Sequence, residues 1–316
     1  MNNDYTTKVT NCTCGGSLKE KTKYKFKHNN IQFLFQQCNN CKRLVLNPTL
    51  KEEHTSMAFQ QEYYGAGETK FIGPGEKIIS WFRNRRAVKA KKLIPNNSKI
   101  LDFGCGNGNF LSFFINHGCE CYGNEFSELS AARAKKQKGL HIKTGEISSE
   151  DYPKSFFNMI SLWHVAEHLK DPDTTINYLY QWMAPGGVLL FAVPNIGSWQ
   201  ARIFKGKWFG MEPPRTFFQY NISAINYLFK DKFKIEETNY LSWEQNLYWI
   251  LQSVLNVMGF ERDDFYSLIK GNRKVHYRDI LQVTIIGVII IPSIIMTYLE
   301  ALSGNGGSVE IVAEKI

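Results

Sequence analysis

The amino terminus lacks the apolar core of a secretory signal. Met1 to Lys8 is polar, which sets the expectation of a chain kept in a reducing cytoplasm. There the seven cysteines are expected to bind metal or pack rather than crosslink. Internal repeats and long low-complexity tracts are also missing, which excludes a repeat architecture. So is the Gly-x-Gly-x-x-Gly spacing of dinucleotide-binding turns: Asn109 stands where the last glycine would fall, which weighs against an NAD or FAD site. At 316 residues the chain is long enough for one large α/β core with an appendage.

The chain has instead the run Leu101-Asp102-Phe103-Gly104-Cys105-Gly106-Asn107-Gly108-Asn109-Phe110. Ile100 to Phe103 reads as a short apolar strand with Asp102 near its end, and Phe110 to Phe114 reads as the start of a helix. Strand, glycine turn and helix together open a nucleotide-binding α/β unit. The missing Cβ atoms let a ligand approach the backbone, and the helix start offers N–H groups.

Asp-x-Gly-x-Gly-x-Gly resembles motif I of the class I S-adenosylmethionine-dependent methyltransferases, and further motifs follow in the order of that family. Cys119 to Ser127 reads as a second strand ending in the acid Glu125. Leu140 to Ile147 resembles the third strand and its turn, Phe157 to His164 the fourth. Met183-Ala184-Pro185-Gly186-Gly187 and Val188 to Asn195 match the turn and fifth strand. The similarity covers about residues 80 to 240 and a last strand at Ser308 to Lys315. Asn158 departs from the usual Asp without touching the cofactor site. The resemblance implies a doubly wound, seven-stranded Rossmann-like α/β sheet whose last strand is antiparallel. It also implies S-adenosylmethionine as cofactor. The pocket would be formed by Asp102, Gly104, Cys105, Gly106 and Gly108, with Glu125 and Phe126 at the ribose, Glu146 and Ile147 at the adenine, and Trp163 beyond. A carboxylate such as Glu125 is the natural bidentate acceptor for a cis-diol.

The expected organisation is a zinc-ribbon-like module over 1–60, the methyltransferase core over 61–240, an apolar helical insertion over 241–307 and the last core strand over 308–316. Cys12, Cys14, Cys38 and Cys41 supply four thiolates, enough for a structural tetrahedral zinc. The first pair has a spacer of only one residue, so a degenerate ribbon without metal, or one using His28, is the alternative. Lys19, Lys21, Lys23, Lys25 and Lys27 alternate along a strand and line one solvated face, read as a protected sheet edge rather than an RNA surface. The Asn-Pro-Pro-Tyr type of motif used on planar amino groups is missing after the fourth strand, so nucleic acid is not the expected partner. Glu62-Tyr63-Tyr64-Gly65 resembles the tyrosine pair that precedes the core in zinc-ribbon methyltransferases; one Tyr would close over the cofactor, or both pack on a linker helix.

His164-Val165-Ala166-Glu167-His168 begins where the fourth strand ends. On a helix, positions 164, 167 and 168 share one face. Three readings stand: an inverted zinc-protease motif, a general base at His164 or His168 that takes the proton of a hydroxyl acceptor, or a scaffold that fixes the neighbouring loop. Trp199, Trp208 and Pro213-Pro214-Arg215 resemble the acceptor loop of methyltransferases from polysaccharide and natural-product clusters, with Thr216 in place of the usual His. They would suit a sugar or an anionic head group, or serve only to pack.

Ile280 to Leu299 carries no charge and is long enough to cross a bilayer. Lys270, Arg273, Lys274 and Arg278 precede it, as beside anionic head groups. A single crossing would separate strands that must pair. The segment is therefore expected to form, with Gln245 to Phe260, a hairpin that dips into one leaflet, Pro292 kinking its second helix. The alternative is a cap buried internally or in a homodimer. The net charge of +9 fits a peripheral protein on the inner face of the membrane or a binder of anionic acceptors. The activity so implied is O-methylation of a small, sugar-like or lipid-linked molecule. The alternatives are a sugar C-methyltransferase, a zinc-ribbon RNA methyltransferase and a scaffold with a vestigial pocket.

Overall fold

The computed structural model describes residues 5–28, 31–51, 53–54, 74–262, 265, 268 and 275–316. The N-terminal part contains β1 (Thr6–Thr7), β2 (Leu18–His28), β3 (Ile31–Cys38), β4 (Leu44–Asn47) and β5 (Thr49–Leu50). The core follows as α1 (Pro74–Lys91), β6 (Lys99–Phe103), α2 (Asn109–Ile115), β7 (Glu120–Glu125), α3 (Glu128–Lys135), β8 (Leu140–Thr144), β9 (Phe157–Trp163), α4 (Pro172–Trp182), β10 (Met183–Pro194) and α5 (Trp199–Phe204). Then come β11 (Phe218–Gln219), α6 (Ile222–Phe229), β12 (Phe233–Asn239), α7 (Tyr248–Val257), α8 (Tyr277–Leu302) and β13 (Ser308–Lys315).

Seven strands form one sheet in the order β12-β13-β10-β9-β6-β7-β8. Only β13 runs against the others, paired on both sides, with Phe191 opposite Ile311 and Phe233 opposite Lys315. This is the expected doubly wound sheet. Its centre is covered on both faces, so β10 reads as an unbroken apolar run, Leu189-Leu190-Phe191-Ala192-Val193, all buried. Helix α4 shows why a helix forms where it does. Asp171 accepts from the Thr174 N–H at 3.0 Å, Pro172 opens the first turn, and Ile176, Leu179 and Trp182 bury one face. The chain winds outward from β6 through β7 to β8, then returns to β9 on the other side of β6. The strand order reverses between β6 and β9, and that places a crevice at their carboxyl ends.

The N-terminal strands are not set apart from this core. Sheet β2-β3-β4 takes β11, from the stretch after α5, as its fourth strand. Phe218 pairs Val45, Gln219 pairs Leu44, and the Leu46 N–H donates to the Phe217 carbonyl at 2.9 Å. Fully buried Arg43 fastens the seam, donating to Asp173 at 2.6 Å and lying over the Phe218 ring at 5.2 Å.

Several expectations need correction. The β2–β3 register shifts between Lys21 and Lys25, and the side chains of Lys21, Lys23, Lys25 and Lys27 lie outside the described ones. The fourth strand stops at Trp163, because His164 adopts φ 55 in the left-handed region. Residues 164–168 then form no α-helix, only a 3-10 turn at Ala166–His168. In the insertion, α7 is a buried helix with Ile250, Leu251 and Leu255 inside and only its end, Val257 and Met258, exposed. Glu62-Tyr63-Tyr64-Gly65 and Lys270, Arg273 and Lys274 lie outside the described residues.

Candidate functional site

The glycine turn after β6 adopts the backbone that its sequence demands. Gly104, Gly106 and Gly108 have φ of 78, 56 and 77, a region that costs any residue with a Cβ. The glycines differ in what surrounds them. A Cβ on Gly104 would lie 2.4 Å from Val165 Cγ2, and one on Gly108 would lie 2.6 Å from Leu140 Cδ1. At Gly106 a Cβ would meet nothing within 4 Å, so its backbone faces open space. Gly104, Cys105 and Gly106 line the cavity at the carboxyl ends of β6 and β9; Gly108 does not, and instead starts α2.

Glu125, at the end of β7, is buried at 8% exposure. One carboxylate oxygen accepts from the Gly106 N–H and the other from the Ser127 N–H, each at 2.8 Å. The acid thus locks the glycine turn to β7. Glu125 also lines the cavity, and a carboxylate there is a natural acceptor for a diol. Phe126, Glu146, Ile147 and Trp163 line the same cavity. An acid held at this depth beside an open glycine backbone fits a ribose and its adjoining groups.

Asp102 is buried at the end of β6, accepting from the Ser161 hydroxyl at 2.7 Å. Burial pushes its carboxyl up to about 7, although the Ser161 hydrogen bond and the Arg86 charge pull the other way. A raised pKa means that the folded state favours the neutral acid. Its contribution to stability is full below the ordinary value of 3.8 and is lost as the pH rises to about 7. Asp102→Asn, measured by thermal unfolding without ligand, should therefore stabilise the protein by about 2 kcal/mol more at pH 8 than at pH 5. An equal effect at both would show that the acid is charged throughout.

The cavity has a volume of about 1210 Å³. Beyond the expected residues it takes in Arg86 of α1, and Glu244, Leu247, Tyr248 and Trp249 from the stretch after β12. Arg86 donates to Glu244 at 2.6 Å and lies over the Trp163 ring at 5.0 Å. These residues have no motif of their own and were not read from the sequence. The acceptor-loop expectation shifts by a residue. Trp208 is fully buried, donating to Gln200 at 3.2 Å and packing edge-on against Trp249, while neighbouring Phe209 lines the cavity. Trp199 and Arg215 are not in the lining, and Arg215 pairs with Glu212 at 3.4 Å.

His164 and His168 both line the cavity. His164 Nδ1 lies 3.5 Å from Oε1 of Glu167, which is 2% exposed, and its Nε2 lies 3.4 Å from the Ser308 hydroxyl. Trp249 stands edge-on to the imidazole at 5.6 Å. His168 Nδ1 meets the Arg215 carbonyl at 3.0 Å. A carbonyl only accepts, so that nitrogen carries the proton. His168 therefore ties down the 212–217 loop. No metal-type cluster gathers His164, Glu167 and His168 among the described residues; with the α-helix absent as well, the protease-like reading loses its basis.

The sulfur atoms of Cys12, Cys14, Cys38 and Cys41 all lie within 4.8 Å of one another. The short first spacer is accommodated by Gly15 at φ 81, which lets the Cys12 N–H reach the Gly16 carbonyl at 2.9 Å. A Cβ on Gly16 would strike Cys38 Sγ at 2.5 Å. Arg43 Nε donates to Cys41 Sγ at 3.1 Å. This donor set is consistent with zinc.

Residues 79–232 match a family model described as a methyltransferase domain. Ubiquinone biosynthesis O-methyltransferases of Pseudomonas putida (strain GB-1) and Pseudomonas entomophila (strain L48) are each 26% identical over 124 residues, 37% of this chain and 50% of theirs. The chain thus spans about half the length of the curated relatives it matches. A solved methyltransferase structure from Galdieria sulphuraria shares the fold, with a TM-score of 0.51 at 11% identity over 83% of this chain and 98% of that one. The chain carries a class I S-adenosylmethionine-dependent methyltransferase domain, joined to an N-terminal four-cysteine cluster.

Proposed function

We propose that the protein methylates a hydroxyl on a small, sugar-like or lipid-linked acceptor, with S-adenosylmethionine as methyl donor. The observation that carries this reading is one continuous cavity holding both Glu125 with its glycine turn and the His164–Glu167 pair. Its volume of about 1210 Å³ exceeds the roughly 300–1,000 Å³ of a site for one ligand, leaving room for an acceptor. The curated relatives named above are O-methyltransferases, which supports oxygen as the atom modified. When bound, the donor supplies an electrophilic methyl whose bond to sulfur breaks as the acceptor oxygen bonds to it.

The side chains of this chain then have three tasks. Glu125 holds the ribose hydroxyls and keeps the glycine turn in place. His164 receives the acceptor's hydroxyl proton on its imidazole, and buried Glu167 beside it stabilises the imidazolium that results. Their 3.5 Å separation needs only a small side-chain turn to become a hydrogen bond, as catalytic contacts often do once ligands are bound. Apolar Leu247, Tyr248, Leu251 and Ile294 exclude water and suit an acceptor with a hydrocarbon part. Incubation with methyl-labelled donor and a membrane extract tests this reading. Label should move into an alkali-stable ether on an extractable molecule; label in nucleic acid or on carbon would overturn it.

We infer in addition that the four cysteines hold a structural zinc. Because β4 carries β11, the metal supports the loop that reaches the acceptor side. Mass spectrometry should find stoichiometric zinc in the wild type and under about a tenth of it in Cys41→Ser. That variant should raise the acceptor KM while keeping its affinity for the donor. A metal-free wild type of unchanged stability would refute the inference.

A further inference from the structure

Helix α8 is built inside out. Every residue it buries is polar: Asp279, Gln282, Ser293, Thr297 and Glu300. Asp279 accepts from the His276 N–H at 2.6 Å, and Glu300 accepts from the Gly307 N–H at 3.2 Å and from Gln200. What the helix turns outward is apolar, with Ile280, Val288 and Ile291 exposed at 70%, 73% and 67%. A helix on a water-facing surface has the reverse arrangement, and an exposed apolar face of this extent marks an interaction site.

We propose that this face docks the protein on one leaflet of an anionic bilayer, with α8 lying in the plane of the membrane. Three observations select a bilayer over a second copy of the chain. First, the outward residues include the neighbours Ile280 and Leu281, Ile294 and Ile295, and Tyr298 and Leu299. Neighbours on a helix point about 100° apart. A partner helix covers only a narrow seam, whereas fluid acyl chains cover a broad arc. Second, the helix is 26 residues long and uncharged from Ile280 to Leu299, in a chain of net charge +9, a combination suited to anionic head groups over an apolar interior. Third, Ile294 belongs both to this outward face and to the cavity wall, so the site opens beside the same surface.

The helix does not span. Its start is held by Arg278 over the Phe260 ring at 5.3 Å, and its end by Glu300 on Gly307. Strands β12 and β13, which flank the insertion, pair in one sheet. Both ends belong to one body on one side of the membrane. The inference deepens the function proposed above and rests on it in one respect: an amphiphilic acceptor held in that leaflet reaches the cavity past Ile294 without crossing water.

Flotation with vesicles of phosphatidylcholine and phosphatidylglycerol tests the docking. The wild type should float, and high salt should not release it. The variant I280E/V288E/I291E changes three residues outside the cavity and should lose vesicle affinity by about a hundredfold or more. Unchanged donor binding by the variant will show that it is folded. Wild-type protein that stays at the bottom, or a variant that floats equally well, overturns the proposal. A dimer in size-exclusion chromatography that the variant converts to monomer, without vesicle binding by either, reassigns the face to a contact between copies. Donor binding is read separately from flotation, so a failure of docking leaves the methyltransferase reading standing, and the converse also holds.

Discussion

Replacement of His164 by Ala is expected to lower kcat by about 10²–10⁴, the usual worth of a positioned general base. Affinity for S-adenosylmethionine should stay within about twofold, because the contacts of the imidazole are with Glu167, Ser308 and Trp249. The acidic limb of the wild-type pH–rate profile should be lost in the variant. His168→Ala provides the contrast. Its ring holds the Arg215 carbonyl, so its loss should loosen the 212–217 loop and raise the acceptor KM more than it lowers kcat. Full activity in both variants would leave alignment and desolvation as the whole of catalysis.

Glu125→Ala should weaken donor binding by about a hundredfold, measured by equilibrium dialysis. A hundredfold is about 2.7 kcal/mol, within the worth of one or two charge-assisted hydrogen bonds to a diol. The substitution has a second effect, because Glu125 also receives the N–H groups of Gly106 and Ser127. Without it the turn loses its anchor to β7. Glu125→Gln separates the two effects, since its amide oxygen can keep one of these backbone contacts but not both. Its affinity should fall between those of Ala and wild type.

The sheet was largely legible in the sequence. Strands bounded by turn glycines and buried on both faces read as continuous apolar runs, and Ser308–Lys315 was placed at its observed ends. The glycine turn was legible too, because a backbone at φ 56–78 calls for glycine at fixed spacing. The rest of the cavity wall was harder to read. Arg86 meets Glu244 across most of the core, a pairing that no local pattern announces. Trp208 and Phe209 are equally apolar, and a single residue of phase decides which faces the cavity. Strand β11 has two residues, too few for any periodicity. His164 misled because a helical face was assumed where the backbone turns left-handed. In α8 a signal was present and unused: polar residues at 279, 282, 293, 297 and 300 recur on one helical face, marking the side that meets protein.

The central claim is that residues 79–232 hold S-adenosylmethionine at the carboxyl ends of β6, β7 and β9. Calorimetric titration of the intact wild-type protein with S-adenosylmethionine tests it most directly. The account predicts saturable binding of one donor per chain, with a Kd on the order of micromolar. Absence of binding by a folded, metal-replete protein would contradict it and leave the glycine turn and Glu125 as relics of a site no longer in use.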